Sequence, residues 1–337
     1  MSITKRKEDH IEICLKEGSG FCKKSGFEKY ELLHNAIADF NFEDIDISSD
    51  FLGKKIDHPI IISSITGGCE RARKINTNLA IAADRLNIAM SCGSQKAMIK
   101  DKKQACTYEI RSVAPGILYM GNIGLDYLKN YENFAKIRSA IKSINADGVF
   151  VHLNLAQELV QAEGERNFAD STQNLTNFVK FMDLPVITKE VGFGISGKTA
   201  KILERTGVRA IDVAGAGGTS WTRVESFRQA DSGLANRFSE WGIPTAESLV
   251  QCRKAVKMPI IASGGIYDGI TACKAFALGA DLVGLAGPLL KAANISPEKV
   301  IEYLDNFILE LKTAMMLVGA RNLNELKNNK EIIYKVV

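Results

Sequence analysis

The stretch that decides the fold is PIIASGGIYDGITACKAFALGADLVGLAG, residues 259–287. It opens with a short apolar run (259–265) that ends in two glycines. It continues into DGITACKAFALGA, where Ile270, Cys273, Phe276 and Ala277 recur at helical spacing behind Asp268, an N-cap residue type. A second apolar run (282–287) follows. Continuous apolar runs of this length suit strands buried on both faces, as in a parallel sheet. A helix between two of them is the crossover that parallel strands require.

Working outward, the same unit recurs. PIIISSIT (59–66), IAMSCGS (88–94), ILYMGNIG (117–124), GVFVHLN (148–154), PVITKEV (185–191) and AIDVAG (210–215) precede the two runs above. In SGKTAKILERTG, Ser196 opens a helix and Gly207 closes it. Eight β/α units in series predict a (β/α)8 (TIM) barrel with an N-terminal extension, and a doubly wound sheet is the runner-up. Residues 1–58 form the arm and a barrel-closing segment, in which FEDIDIS (42–48) and GKKIDHP (53–59) pair as a hairpin across the barrel bottom. Residues 59–337 form the barrel, with a long helix from about Ser296, as one structural domain. The polar, Gly-rich segment 216–245 reads as a long loop on the C-terminal face, where barrel active sites are built.

Composition narrows the function. Apolar residues make up 46% of the 337, with 28 glycines, as in a globular fold rather than a disordered chain. The net charge of +4 is spread along the chain, which argues against nucleic acid. None of the seven cysteines forms a CxxC pair, so reduced thiols and a cytoplasmic setting are expected. The first twenty residues lack a long apolar run, and no stretch of eighteen uncharged apolar residues exists, so neither a signal peptide nor a membrane span is expected.

The strand ends all point to one mouth. SGGIYDG after strand seven and LAGPLL after strand eight offer glycine N–H groups at helix starts, which suits a phosphate, although tight turns alone would read the same way. Lys189 ends strand five; it can neutralise an anionic ring, form a Schiff base, or pair with Glu190. His152 is a catalyst or a hydrogen-bonded core histidine. Glu158, beside Gln157, is a lone carboxylate suited to Mg²⁺ bound mainly by water and phosphate, or a solvated helix start. Lys5, Arg6 and Lys7 form either a solvated face or an arm that clamps a diphosphate.

Taken in order, RKEDHI, SITGG, CGSQKA, GNIG, HLNLAQE, QAEGERNF, ITKEVGFGIS, DVAGAGGTSW, WGIPT, ASGGIYDG and GADLVGLAGPLL closely resemble the type 2 isopentenyl-diphosphate isomerases over nearly the whole chain. The resemblance implies an FMN-dependent barrel enzyme, active with reduced flavin and Mg²⁺, with NAD(P)H as flavin reductant and a homo-oligomeric state of four or eight chains. It implies that Ile65, Thr66, Gly67, Ser94, Asn122, Lys189 and Thr219 contact FMN. Gly265, Ile266, Tyr267, Ala286 and Gly287 would hold its phosphate. Arg6 and Lys7 would bind substrate diphosphate, and Ser94, Gln95, Lys96, His152, Asn154 and Gln157 would face substrate. Glu158 would hold Mg²⁺, and Gln157, His152, Trp221 and Glu225 would surround the reacting end. Tyr267 stands where the family pattern has Arg.

The implied reaction converts isopentenyl diphosphate to dimethylallyl diphosphate by adding a proton at C4 and removing one from C2. An alkene is a poor base, so a strong positioned acid and water exclusion are needed. Gln157 is a poor proton donor and no Asp/Glu pair marks the strand ends, which leaves reduced FMN as the acid/base and Gln157 to orient or relay. The rivals are an FMN oxidase of 2-hydroxy acids on the same fold and a non-catalytic flavin or phosphate binder.

Overall fold

The computed structural model describes residues 3–16, 18–228 and 232–336. Eight short parallel strands close into a barrel: β1 (Ile60–Ile62), β2 (Ala89–Ser91), β3 (Tyr119–Gly124), β4 (Gly148–Leu153), β5 (Val186–Glu190), β6 (Ala210–Asp212), β7 (Ile260–Ser263) and β8 (Leu282–Leu285). Each of the eight apolar runs supplies one strand. Val283 pairs with Ile60 to close the ring, so no sheet edge remains and the doubly wound alternative falls. The runs are apolar throughout because both faces are covered. Ile60 and Ile62 pack outward under the helices, while Ile61 belongs with Met120, Phe150 and Ile187 to the cluster that fills the interior.

The outer helices start and stop as the sequence predicts. Ser196 accepts from the Thr199 N–H (3.2 Å) and Asp268 from the Thr271 N–H (2.6 Å). The hairpin differs in position. Its strands are Ser49–Phe51 and Lys54–Ile56, joined through Leu52 and Gly53, both at positive φ. Phe42–Asp44 is instead a 3₁₀ turn, because Asn41 and Asp44 cap each other's backbone there. Phe51 and Ile56 are buried against the interior cluster and plug one end of the barrel. Ser296 caps the helix Pro297–Leu317, and Ile333–Lys335 beyond it pairs with Tyr30–Leu32.

Segment 216–245 is not one long loop. It carries the helices Trp221–Arg228 and Gly233–Arg237 over the cavity side of the barrel, with 229–231 outside the described residues. Its glycines concealed helical stretches whose buried face (Thr222, Val224, Glu225, Ser226) is mostly polar.

Candidate active site

The cavity lies at the C-terminal ends of the strands and is covered by the N-terminal helix Ile3–Leu15. At one end, Gly264 and Gly265 have φ of 100° and 72°, a conformation that excludes most side chains. They pack against the backbone of Gly215 and Gly217, so a Cβ at either position would overlap main chain. The same corner is lined by Gly218, Thr219, Ile266, Tyr267, Ala286 and Gly287. The helix Gly287–Ile295 begins there, with its positive end toward the corner. The helix Gly269–Ala277 starts two residues beyond Tyr267, where the Gly269 N–H donates to Glu310 (2.8 Å). The Tyr267 hydroxyl donates to the Gly217 carbonyl (3.3 Å), and its own carbonyl accepts from Tyr303.

Along the middle, Ile65, Thr66, Ser94 and Asn122 line one wall and Lys189 the other. Lys189 is buried, and its ammonium donates to the Glu190 carbonyl (2.7 Å). The Glu190 carboxylate does not pair with it, since Oε2 collects the N–H groups of Val191, Gly192 and Phe193. Asp212 sits opposite Lys189 in the β5–β6 register. Burial raises the Asp212 pKa, and Lys189 and the Ser263 hydroxyl oppose the rise. Burial pushes His152 down to about 3, so its ring is neutral; Asp126 opposes this, while Lys189, Lys7 and Lys96 reinforce it. Asn122 donates its amide N–H to Ser64 Oγ (2.6 Å), so its oxygen accepts from His152 Nδ1 (2.6 Å). That fixes the tautomer with Nε2 unprotonated.

At the mouth, Arg6, Lys7 and His10 reach in from the N-terminal helix. Lys7 is half-buried and has no hydrogen bond or ion pair among the described residues; burial, aided by Arg6, lowers its ammonium to about 8. His10 meets Trp221 edge to face at 5.1 Å. Gln157 and Glu158 lie on the short helix Leu155–Val160. Glu158 accepts from Asn154 Nδ2 (2.8 Å) and the Glu165 N–H (2.7 Å). Gln157 Nε2 donates to Glu225 Oε1 (3.0 Å), as does His10 Nε2 (3.0 Å), and Arg228 holds the other oxygen. Burial raises the Glu225 pKa, but His10, Gln157 and Arg228 more than reverse it, so the acid stays ionised.

Three expected residues do not line the cavity. Gln95 is fully enclosed; its amide spans from the Asn122 N–H to the Ala140 carbonyl and braces the wall from behind. Gly67 packs against the Tyr108 ring, where a Cβ would overlap it. Glu225 lies one layer back, behind Gln157 and His10. The remaining expected residues, including Lys96 and Asn154, line the cavity. Sequence reasoning missed His10, three and four residues beyond Lys7 and Arg6 on one helical face, a spacing that could have found it. It also missed Asp126, which pairs with Lys96 (2.7 Å) just past the β3 end.

The chemistry of the lining suits a phosphorylated, polar ligand. Among the described residues, four cations (Arg6, Lys7, Lys96, Lys189) face two carboxylates (Asp126, Glu158). Ser63 Oγ and Asn154 Oδ1 are buried in the wall without a partner, which an incoming polar group would satisfy.

Barrel and cavity together define a class. The model of the FMN-dependent dehydrogenase family matches residues 135–333. Solved structures share the fold: a mandelate oxidase variant (TM-score 0.67, 16% identity, 97% of this chain and 94% of that one) and a flavocytochrome b2 variant (TM-score 0.70, 16% identity, 97% and 82%). The sequence relatives are narrower. The chain is 43% identical over 327 residues to the isopentenyl-diphosphate delta-isomerase of Rickettsia bellii strain RML369-C, covering 96% of each. It is 44% identical over 332 residues to that of Methanothermobacter thermautotrophicus (98% and 93%) and 44% over 333 to that of Pyrococcus furiosus (96% and 84%). The chain belongs to the FMN-dependent, type 2 isopentenyl-diphosphate delta-isomerase family.

Proposed function

We propose that the protein interconverts isopentenyl diphosphate and dimethylallyl diphosphate, with reduced FMN and Mg²⁺ as cofactors and NAD(P)H as the source of the flavin's electrons. The observation that carries this reading is one cavity with a glycine cradle at one end, Arg6 and Lys7 at the other, and Gln157 backed by Glu225 among its walls. A single cradle suits one phosphate, hence FMN rather than FAD. Gly265, Ile266, Tyr267, Ala286 and Gly287 would hold that phosphate, and Thr66, Ser94, Asn122, Lys189 and Thr219 the ring. When bound there, reduced FMN would supply the acid/base group that an alkene demands.

The chain's own residues do the rest. Arg6 and Lys7 bind the substrate diphosphate, and the unpaired Lys7 ammonium gains its partner in doing so. Glu158 would hold Mg²⁺, which would supply positive charge against the diphosphate. Gln157 orients the reacting carbons, the neutral His152 offers Nε2 as an acceptor, and Trp221 keeps water from the alkene. A homo-oligomer belongs to the same reading.

A 2-hydroxy-acid oxidase would want a His base and a carboxylate-binding Arg at late strand ends. Here β7 and β8 lead into Gly264–Gly265 and Ala286–Gly287. The test is turnover of isopentenyl diphosphate by protein loaded with reduced FMN and Mg²⁺, beside bleaching of oxidised FMN by 2-hydroxy acids. Dimethylallyl diphosphate without bleaching is expected. Bleaching without isomerisation would overturn the proposal.

A further inference from the structure

We infer that Glu163 and Arg228 are positioning residues that tie the diphosphate grip at the mouth to Gln157 at the reacting end, an inference that rests on the isomerase reading of the cavity. Side chains of alternating charge join the two ends. Arg6 faces Glu163 at 3.8 Å, in the loop after the Leu155–Val160 helix. Glu163 Oε1 accepts from Arg228 Nη2 (2.9 Å), and Arg228 Nη1 bonds Glu225 Oε2. Glu225 Oε1 then accepts from Gln157 and His10, each at 3.0 Å.

A second route runs in parallel. With the buried Gln161 amide oriented to satisfy both neighbours, its nitrogen donates to Glu225 Oε1 (3.2 Å) and its oxygen accepts from Arg6 (3.0 Å). Glu163 and Arg228 are not among the residues that line the cavity, which suits a role through the side chains they touch. Their chemistry suits a brace. A planar guanidinium can span two carboxylates, which an ammonium cannot do with the same geometry. Glu225 is fully buried, and a buried carboxylate stays ionised only while its partners hold it. Arg228 therefore fixes the anion on which Gln157 hangs, and Glu163 fixes Arg228 while facing the arginine that meets diphosphate.

The test compares wild type, Glu163→Gln, Arg228→Lys and the double variant. Isopentenyl diphosphate turnover is measured with reduced FMN and Mg²⁺, and FMN affinity checks the fold. Arg228→Lys should lower kcat about tenfold and Glu163→Gln about threefold, with KM and FMN affinity changed less than about threefold. The double variant should be no slower than Arg228→Lys alone, because both break one chain. Unchanged kcat, a rise in KM alone, or multiplying losses would overturn the inference.

A readout free of turnover separates it from the isomerase reading. In a Trp241→Phe background, Trp221 is the one remaining tryptophan. Inorganic pyrophosphate with Mg²⁺ should change its emission in the parent and not in either variant, with pyrophosphate still bound. Equal responses in all proteins would overturn the inference. A parent that responds yet does not isomerise would instead sink the isomerase reading.

Discussion

Shortening Gln157 by one methylene isolates the proposed reacting end. Its Nε2 stands 3.0 Å from Glu225 Oε1, on a helix that fixes its Cα. Gln157→Asn withdraws the amide by about 1.5 Å, one carbon–carbon bond. The separation becomes about 4.5 Å, beyond hydrogen-bond range. A hydrogen bond to a charged group contributes about 1.5–3 kcal/mol. If that contribution is expressed in the transition state, kcat falls by about 10- to 150-fold. Glu225 keeps His10 and Arg228, so the loss of stability should not exceed about 3 kcal/mol, the contribution of that one hydrogen bond. The glycine corner is untouched, so FMN affinity should stay within about twofold. The assay is steady-state conversion of isopentenyl diphosphate under reducing conditions, with FMN affinity from flavin fluorescence. Wild-type kcat with only a raised KM would refute the reasoning, since Gln157 would then bind substrate without shaping the transition state.

Lys7 gives a pH prediction. Its ammonium, lowered to about 8 by burial and by Arg6, is charged in the free protein below that pH and lost above it. Diphosphate binding favours the charged form, so kcat/KM should fall as pH rises through about 8. Lys7→Met should abolish that limb, and a profile flat to about pH 9.5 would separate Lys7 from the diphosphate. Glu158→Gln should raise the Mg²⁺ concentration for half-maximal activity while FMN still binds; superimposable Mg²⁺ titrations would remove Glu158 from the metal site. Lys189→Ala leaves the buried Asp212 without its facing cation, so FMN should bind about tenfold more weakly; an unchanged dissociation constant would return Lys189 to a purely structural role.

The barrel was legible because each strand is a continuous apolar run and each ending carries small or polar residues. The β7 unit shows why, since Asp268 caps its helix through the Thr271 N–H as its position predicts. Local competition was harder to see. Asn41 and Asp44 cap each other and turn 42–44 into a 3₁₀ helix, although the residues alternate as a strand would. The helices in segment 216–245 bury Thr222, Glu225 and Ser226, so no apolar period announced them. At the site, residue types named the lining better than they named its depth. Gln95 and Lys96 are neighbours, yet Gln95 turns into the wall to bond the Asn122 N–H while Lys96 faces the cavity. Glu225 stands behind Gln157 because a buried carboxylate needs donors: Arg228 is three residues on along its own helix, but His10 and Gln157 come from two other elements far away in sequence. No local pattern records that convergence.

The most direct test of the central claim runs isopentenyl diphosphate over the protein in D₂O, with reduced FMN and Mg²⁺, while flavin absorbance and product are followed together. Isomerisation by proton transfer predicts many turnovers to dimethylallyl diphosphate, deuterium in the methyl group derived from C4, and a flavin spectrum that remains reduced throughout. No product, or product formed only in step with oxidation of the flavin, would contradict it.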